Sequence, residues 1–446
     1  MNFRIIAYIV GWVCNFQAAF MILPLLTAGI YREKDFSAFL LAMLVCLVVG
    51  VPLTRKKPKN KVFYIKDGCV AVALSWLALC IFGAIPFVVS GYITHPIDAL
   101  FETVSGFTTT GSSILSDVEV LPHCILIWRS FTHWIGGMGV LVFLLSLLPL
   151  AGGYHMNLMK AESPGPSVSK LVPKVQSTAK ILYTIYFGMT LIQLALLLIG
   201  RVPLFDSLCI TFGTAGTGGF GIVNDSLGSY STYCQVVTTI FMILFGVNFS
   251  AYYLILTKKF RQAFKYEEVR YYFGIIAVAI VIIALNTAHL FRNLLTAFQQ
   301  AAFQVGSIIT TTGFSSTDFN QWPALSKTVL VLLMFVGACA GSTGGGIKVS
   351  RILILCKAAK KEFQLYLHPN AVKKIKMDDK VITHDILRST NIYISLYLMI
   401  LAASVLLIAI DNFDLITNFM AVTATLNNVG PGFEIVGPMG NFSSFS

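Results

Sequence analysis

The stretch Ile309-Thr310-Thr311-Thr312-Gly313-Phe314-Ser315-Ser316 decides the fold, because variants of it recur at three other places in the chain. We number the four copies in chain order: loop 1 (Phe107 to Ser113), loop 2 (Gly213 to Phe220), loop 3 (Ile309 to Ser316) and loop 4 (Thr425 to Phe433). Each copy follows a short apolar run and carries a glycine among small residues. The glycines at 111, 219, 313 and 430 are 108, 94 and 117 residues apart, which indicates one unit repeated four times with connections of variable length.

The composition places these units in a membrane. The chain has 446 residues, of which 56% are hydrophobic and 12% are charged, and its mean hydropathy is +0.77. A soluble domain carries roughly 25% charged residues. Apolar runs of roughly 18 or more residues recur between short polar stretches, which predicts transmembrane α-helices and not the alternating strands of a β-barrel.

The net charge of +12 does not indicate a nucleic-acid partner, because the basic residues are concentrated in alternate connections. Of the 32 Lys and Arg residues, 26 lie at the N-terminus or in the ranges 55–66, 160–180, 258–270 and 348–388. The positive-inside rule predicts that these segments and the N-terminus are cytoplasmic. The charge therefore sets the topology, and attraction to anionic membrane lipid explains it as well as a protein partner does.

Each unit is predicted to consist of a span, a half-length helix, the glycine loop and a closing span. The first half-length helix, Ile97 to Phe107, covers about 16 Å, so it enters the roughly 30 Å hydrocarbon core without crossing it. The other three are predicted at Leu204 to Phe212, Leu294 to Ile309 and Leu415 to Thr425, and the second unit is predicted to close with a span from Tyr233 to Thr257. The fold class is thus an all-α polytopic membrane protein with four pseudo-symmetric repeats around a central pore. We expect two N-terminal transmembrane helices in residues 1–60, and pore repeats in residues 61–170, 171–265, 266–375 and 376–446.

The fourth repeat departs from the pattern. The sequence stops at Ser446 without a closing span, and we interpret this as truncation.

Four non-helical loops at membrane depth are tolerated only where they are buried in protein or line a water-filled cavity, which predicts one shared pore. Backbone carbonyls replace the hydration shell of a cation, and glycine adopts the conformations that turn them toward the axis. The C-terminal end of each half-length helix favours a cation there. The predicted K+ filter residues are Thr109, Thr110, Gly111, Gly218, Gly219, Thr311, Thr312, Gly313, Asn428, Val429 and Gly430.

A second glycine-rich segment interrupts the closing span of the third unit. Three consecutive glycines there disfavour a helix, since each costs about 1 kcal/mol. A phosphate-binding motif needs Lys directly after its last Gly, and here Ile347 intervenes. Close helix packing through small residues is the remaining alternative. We predict a gating loop formed by Gly337, Ala338, Cys339, Ala340, Gly341, Ser342, Thr343, Gly344, Gly345, Gly346 and Lys348.

Several ionisable residues near the predicted loops are explained by common structural roles. Arg129 and His133 lie beside Trp128 and Trp134, which is typical of anchoring at the membrane interface. Glu102 is notable because it lies inside a half-length helix near the predicted pore. Asp98 and Asp206 are expected to cap their helices. The sequence has no carboxylate pair, Ser-His-Asp set or metal cluster where catalysis would need one, so it does not indicate an enzyme.

These features resemble the Trk, Ktr and HKT superfamily of potassium-uptake proteins, most closely its bacterial Trk-type membrane subunits (TrkH). The matching motifs are Thr108 to Ser113, Trp128 to Gly139, Ala161 to Pro166, Thr310 to Ser316, Gly341 to Lys348 and Asn427 to Pro431. The resemblance implies that Gly111, Gly219, Gly313 and Gly430 are the filter glycines, with Gly219 chosen over Gly218. It implies that glycine in all four loops selects potassium, and that the interrupted span is an intramembrane gate.

The resemblance further implies a bacterial inner-membrane protein that is a homodimer and binds a cytosolic, nucleotide-binding TrkA-like subunit. K+ is expected as the transported ion, with no organic cofactor. Two alternatives remain at this point: a sodium or mixed Na/K translocating relative, and a coupled secondary cation transporter such as a symporter. Broken helices in such transporters usually occur in inverted repeats, whereas these four units share one orientation.

Overall fold

The computed structural model describes residues 1–58, 63–137, 139, 175–370, 373–378 and 380–445. Within these ranges the fold is almost entirely α-helical. The helices are α1 (Phe3–Phe20), α2 (Ile22–Tyr31), α3 (Phe36–Thr54), α4 (Ile65–Ser90), α5 (Pro96–Phe107), α6 (His123–Gly137), α7 (Val175–Ile199), α8 (Leu204–Gly216), α9 (Thr232–Phe245), α10 (Phe249–Leu256), α11 (Phe260–Ala263), α12 (Glu267–Thr287), α13 (Leu294–Ile309), α14 (Ala324–Val336), α15 (Val349–Leu367), α16 (His384–Ile408) and α17 (Leu415–Leu426).

The remaining elements are short. Single 3₁₀ turns lie at Ala288–Leu290, Phe319–Gln321, Ala409–Asp411 and Glu434–Val436. One antiparallel hairpin pairs β1 (Lys376–Met377) with β2 (Lys380–Val381).

Six helical segments of the described residues are long and apolar enough to cross a membrane. This agrees with the polytopic all-α class predicted from composition. Their outward faces carry large exposed apolar side chains such as Leu285 and Leu406, as expected where lipid replaces water. The six segments are Phe3–Tyr31, Phe36–Thr54, Ile65–Ser90, Ser177–Ile199, Glu267–Leu290 and His384–Asp411.

The two N-terminal helical segments pack on the first unit. Helix α1 contacts α3 and α4, and α2 contacts α6. Buried Val13, Phe39 and Trp128 belong to one continuous apolar core. The N-terminal helices therefore pack against the first and last helices, α4 and α6, that the structure describes in the first unit.

Four half-length helices, α5, α8, α13 and α17, each end at one glycine loop. The predicted bounds of α13 agree with the structure at both ends. The predicted end of α8 at Phe212 was wrong, because that helix continues to Gly216 before Thr217 turns left-handed. The expected caps were also wrong: Asp98 and Asp206 lie in the first helical turn, and the N-cap residues are His95 and Pro203.

One predicted span, Tyr233 to Thr257, is not continuous. Helices α9 and α10 meet at a bend of 94° around Gly246 to Asn248. Asn248 caps α10 by accepting a hydrogen bond from the amide of Ser250. Backbone groups at the bend, which lack helical partners, form hydrogen bonds with the glycine-rich segment. The Cys339 amide donates to the Gly246 carbonyl, and the Phe249 amide donates to the Gly341 carbonyl.

The predicted interruption of the third closing span is present between the end of α14 at Val336 and the start of α15 at Val349. Positive φ angles at Gly337, Gly341, Gly346 and Lys348 turn the chain between them. Two parts of the sequence interpretation lie outside the described residues: most of the first closing span beyond Gly137, and the motif from Ala161 to Pro166.

Candidate functional site: four loops around one ring

The four loops share one backbone conformation. In each loop a residue two positions before the key glycine has a left-handed φ, between 54° and 65°, and the glycine has a φ between 74° and 93°. Loop 2 follows the pattern at Thr217 and Gly219, so Gly219 and not Gly218 is equivalent to the other key glycines. The pairs are Thr109 and Gly111, Thr217 and Gly219, Thr311 and Gly313, and Asn428 and Gly430.

The loops are also held to their half-length helices by equivalent hydrogen bonds. The amide preceding each key glycine donates to the carbonyl five residues earlier, at 2.8 to 2.9 Å. These bonds use carbonyls that a helix end leaves without intrahelical partners, so the loop caps its own helix. The donor and acceptor pairs are Thr110 to Ser105, Gly218 to Gly213, Thr312 to Ser307 and Val429 to Ala424.

The key glycines form a closed ring, which we call the glycine ring. The space where each glycine would carry a Cβ is occupied by a carbonyl oxygen from the next loop, in the order loop 1 to 2, 2 to 3, 3 to 4 and 4 to 1. A Cβ at Gly111, Gly219, Gly313 and Gly430 would lie 1.9, 2.0, 2.1 and 2.9 Å from the carbonyl oxygens of Gly218, Thr312, Val429 and Thr110, respectively. Only glycine fits this approach of four backbones, and only glycine adopts its φ angles without strain.

A cavity of about 150 Å³ opens on one side of the ring. It is lined by the four ring glycines and by residues that follow them, including Ser112, Phe220 and Ser315. Asn224 lies at its rim and donates a hydrogen bond to the carboxylate of Asp117 at 2.9 Å. The ring is therefore accessible from this side through a polar funnel.

Loop 4 contains asparagine where the other loops have threonine, and its side chain joins loop 4 to loop 1. The amide nitrogen of Asn428 donates to the Thr108 carbonyl at 2.6 Å and to the Thr109 hydroxyl at 3.2 Å. Its oxygen accepts from the Thr110 hydroxyl. The departure of loop 4 from the threonine pattern thus closes the ring between the first and last units.

A buried ion pair lies directly behind loops 1 and 2. Arg129 on α6 and Glu102 on α5 approach to 2.8 Å, and their side chains are 2% and 0% exposed. Glu102 also accepts from the amide of Ile114, and Arg129 donates to the Gly221 carbonyl at 3.2 Å and lies over the ring of Phe220. The pair therefore braces the chain just after Gly111 against the chain just after Gly219.

The interpretation of Arg129 and His133 as anchors at the membrane interface was wrong. Both residues are buried, and His133 stacks on Phe220 with ring centroids 4.3 Å apart. Their position four residues apart on α6 places them against loop 2. A charged residue inside an apolar run, matched by Glu102 inside a half-length helix, was the available sequence signal.

The glycine-rich segment, residues 337–348, contacts the ring from the other side. The Gly345 amide donates to the Thr311 hydroxyl at 2.5 Å, and the Gly346 amide donates to the Asn427 carbonyl at 3.0 Å. These partners precede the ring glycines, whereas the cavity is lined by residues that follow them. The segment and the cavity therefore lie on opposite sides of the ring.

Other residues of the glycine-rich segment form hydrogen bonds away from the ring. Cys339, Gly341 and Thr343 bond to the bend between α9 and α10, and Lys348 directs its ammonium group to the Gly344 carbonyl. The structure thus divides the predicted gating residues into a part that touches loops 3 and 4 and a part that anchors the segment elsewhere.

Comparisons with known proteins agree with this architecture. A family model named TrkH and described as a cation transport protein matches residues 35–445. The chain is 36% identical to the Trk system potassium uptake protein TrkH of Salmonella typhimurium, with 100% of this chain and 93% of that protein covered. It is 30% identical to the Trk system potassium uptake protein TrkG of Escherichia coli, over 96% of this chain and 90% of that protein.

Similarity extends to a solved structure. The crystal structure of the potassium transporter TrkH from Vibrio parahaemolyticus superposes with a TM-score of 0.89 at 30% sequence identity. The match covers 99% of this chain and 93% of that one.

Proposed function

The chain belongs to the TrkH family of cation transport proteins, and from this premise we propose that it takes up potassium ions through the glycine ring. The single observation that carries the proposal is the ring itself. Four backbone carbonyls, those of Thr110, Gly218, Thr312 and Val429, approach the ring glycines of their neighbours. Carbonyl oxygens replace the hydration shell of K+ without a formal charge that would trap the ion.

The electrostatics of the surroundings support a cation. All four half-length helices direct their C-terminal ends, which carry partial negative charge, toward the ring. Arg129, which is buried beside the ring, is paired with Glu102 and so adds no net positive charge. Relatives that are 30% to 36% identical carry the name of a potassium uptake protein, which favours K+ over Na+ as the substrate.

The glycine-rich segment is proposed as the gate. Its support is position: Gly345 and Gly346 bond to loops 3 and 4 on the side of the ring away from the cavity. Movement of the segment would break these bonds and change access to the ring. A gate of this kind opens and closes by exchanging a few backbone hydrogen bonds, and its glycines supply the required φ changes.

Localisation and partners follow from charge and family. We place the protein in the bacterial inner membrane with a cytoplasmic N-terminus, since the basic connections then lie on the cytoplasmic side. A TrkA-like cytosolic subunit is a proposed partner, because the relatives are named as parts of a Trk system. A homodimer is proposed from the family resemblance alone. Residues 357–388 are the proposed docking surface for that subunit. The repeat boundaries predicted from the sequence stay part of this proposal.

The test is ion flux into liposomes that contain only the purified protein. K+ uptake is measured with increasing external Na+ as competitor, and the reversal potential is measured under opposing K+ and pH gradients. Saturable K+ uptake that Na+ competes for weakly supports the proposal, as does rescue of a bacterium that lacks potassium uptake. Equal competition by Na+ would instead assign the ring to sodium or mixed transport, and a reversal potential that follows pH would assign coupled transport.

A further inference from the structure

Glu268 is a buried carboxylate that the proposed ion path does not use. It is the second residue of α12 and is 4% exposed. Its Oε1 accepts two backbone hydrogen bonds, from the amide of Ala340 at 2.6 Å and from the amide of Ser350 at 3.1 Å. Ala340 lies inside the glycine-rich segment and Ser350 lies two residues after it, so a single oxygen links the two ends of the segment.

The bond to Ser350 also completes the start of α15. The N-cap of that helix is Lys348, whose side chain makes no capping hydrogen bond. Lys348 has a φ of 85°, which is strained for a residue with a side chain. A carboxylate from another helix supplies the missing acceptor and lies at the positive end of the α15 dipole, where negative charge is favourable.

A buried carboxylate is costly unless hydrogen bonds satisfy it. The two bonds to Glu268 therefore tie both ends of the segment to α12. Between them lie Gly345 and Gly346, which bond to Thr311 and to the Asn427 carbonyl beside the glycine ring.

From this arrangement we infer that Glu268 is a positioning residue that holds the glycine-rich segment in its seat against loops 3 and 4, and thereby sets the resting flux of the pore. The inference rests on the proposed gate for its effect on flux. Its effect on the segment itself does not depend on what the protein transports.

The neighbouring Glu267 provides a matched control. Its carboxylate pairs with Lys357, and its amide donates to Asp378. Its side chain is 26% exposed, and no hydrogen bond links it to the glycine-rich segment within the described residues. Glu267→Gln and Glu268→Gln thus make the same chemical change at adjacent residues of α12, one partly exposed and the other buried.

The test compares hydrogen exchange of peptides covering residues 337–350 in the parent, E268Q, E268A and E267Q proteins. Glutamine keeps an oxygen acceptor but loses the charge, whereas alanine removes the acceptor. We expect exchange at Ala340 and Ser350 to rise about tenfold or more in E268A, less in E268Q, and not at all in E267Q. K+ flux should rise severalfold in the same order, with K+ over Na+ discrimination unchanged.

Two results would overturn the inference. One is exchange in E268Q and E268A equal to that of the parent, and the other is faster exchange with parental K+ flux. If E268A does not fold, the isosteric E268Q variant decides the question alone. If the parent itself shows no K+ flux, the proposed function fails, while the exchange measurements still establish or refute the tie made by Glu268.

Discussion

The guanidinium group of Arg129 lies 2.8 Å from the carboxylate of Glu102, and both side chains are almost completely buried. Neither residue belongs to a loop of the ring, yet each reaches the chain that follows a ring glycine. Glu102 accepts from Ile114, and Arg129 donates to Gly221. The pair therefore fixes the spacing between loops 1 and 2 on the cavity side.

Removal of one partner is expected to disturb the ring more than removal of both. Arg129→Gln leaves a buried carboxylate without its counter-charge, which costs about 3–5 kcal/mol of stability. We expect a lower unfolding temperature and weaker K+ over Na+ discrimination. The double variant E102Q/R129Q should recover part of both losses, because it leaves no unpaired charge.

The measurements are thermal unfolding in detergent and competitive flux in liposomes. Arg292→Gln is the control, since Arg292 is exposed. A double variant as impaired as, or more impaired than, R129Q alone would show that the pair does not act as a unit.

The positions of the four glycine loops could be predicted from the sequence because their determinants are local. A glycine with positive φ, the small residues around it and the short helix before it all occur within each loop, and α13 begins and ends where the pattern places it. The interruption after Val336 was predicted for the same reason, since three adjacent glycines disfavour a helix wherever they occur.

Features that depend on distant contacts were missed. The bend at Gly246 is stabilised by amides and carbonyls of residues 339 and 341, nearly a hundred positions later, and the sequence around it reads as a continuous apolar span. Arg129 lies beside tryptophans that suggested a membrane interface, and only the packing of α5 on α6 brings Glu102 to it. Gly219 was chosen over Gly218 because it precedes Phe220 as Gly313 precedes Phe314, and of the two only Gly219 has a positive φ angle.

Serine at a ring glycine is expected to relax ion discrimination. In Gly111→Ser the new Cβ would lie 1.9 Å from the Gly218 carbonyl oxygen, so loops 1 and 2 must separate. The Gly218 carbonyl oxygen, which we propose as a ligand of the ion, moves with them. We expect K+ over Na+ selectivity to fall about tenfold, a loss of about 1.4 kcal/mol of discrimination.

Reversal potentials in mixed K+ and Na+ gradients measure this change. Gly91→Ser is a matched control, because Gly91 has a similar φ of 82° but nothing within 4 Å of its Cβ position. Parental selectivity in Gly111→Ser would refute the assignment of the ring as the selectivity filter.

Asn428 is expected to contribute to stability in two ways, through the hydrogen bonds of its side chain and through its tolerance of a positive φ angle. Asn428→Gly keeps the φ of 65° accessible but loses the bonds to Thr108, Thr109 and Thr110, whereas Asn428→Ala also strains the backbone. Each lost neutral hydrogen bond costs about 1 kcal/mol. We therefore expect both variants to unfold at lower temperature than the parent and the alanine variant to be the less stable of the two.

Thermal unfolding and K+ flux of the two variants, measured side by side, check this order. Equal stability of the parent and Asn428→Gly would show that the side-chain bridge between loops 4 and 1 contributes nothing.

Asp117, which accepts a hydrogen bond from the cavity-lining Asn224, is expected to raise the K+ concentration at the mouth of the cavity. Hydrogen bonds from the Asn224 side chain and the Glu119 amide hold the pKa of Asp117 below its ordinary value, so this carboxylate stays charged in mildly acidic solution. Asp117→Asn keeps an oxygen acceptor but removes the charge. At low ionic strength we expect it to raise the K+ concentration for half-maximal flux about twofold, an effect that salt screens.

The difference between parent and variant should persist at about pH 4.5. An ordinary aspartate, with a pKa of about 3.9, is already mostly charged at that pH, and the lowered pKa of Asp117 increases its charged fraction further. Asp98→Asn serves as the control, since Asp98 is exposed at the start of α5 beside His95, whereas Asp117 accepts a hydrogen bond from Asn224, which lines the cavity. If D117N and D98N shift the half-maximal K+ concentration equally, the effect belongs to overall charge. A shift seen only in D117N would place the effect at the mouth of the cavity.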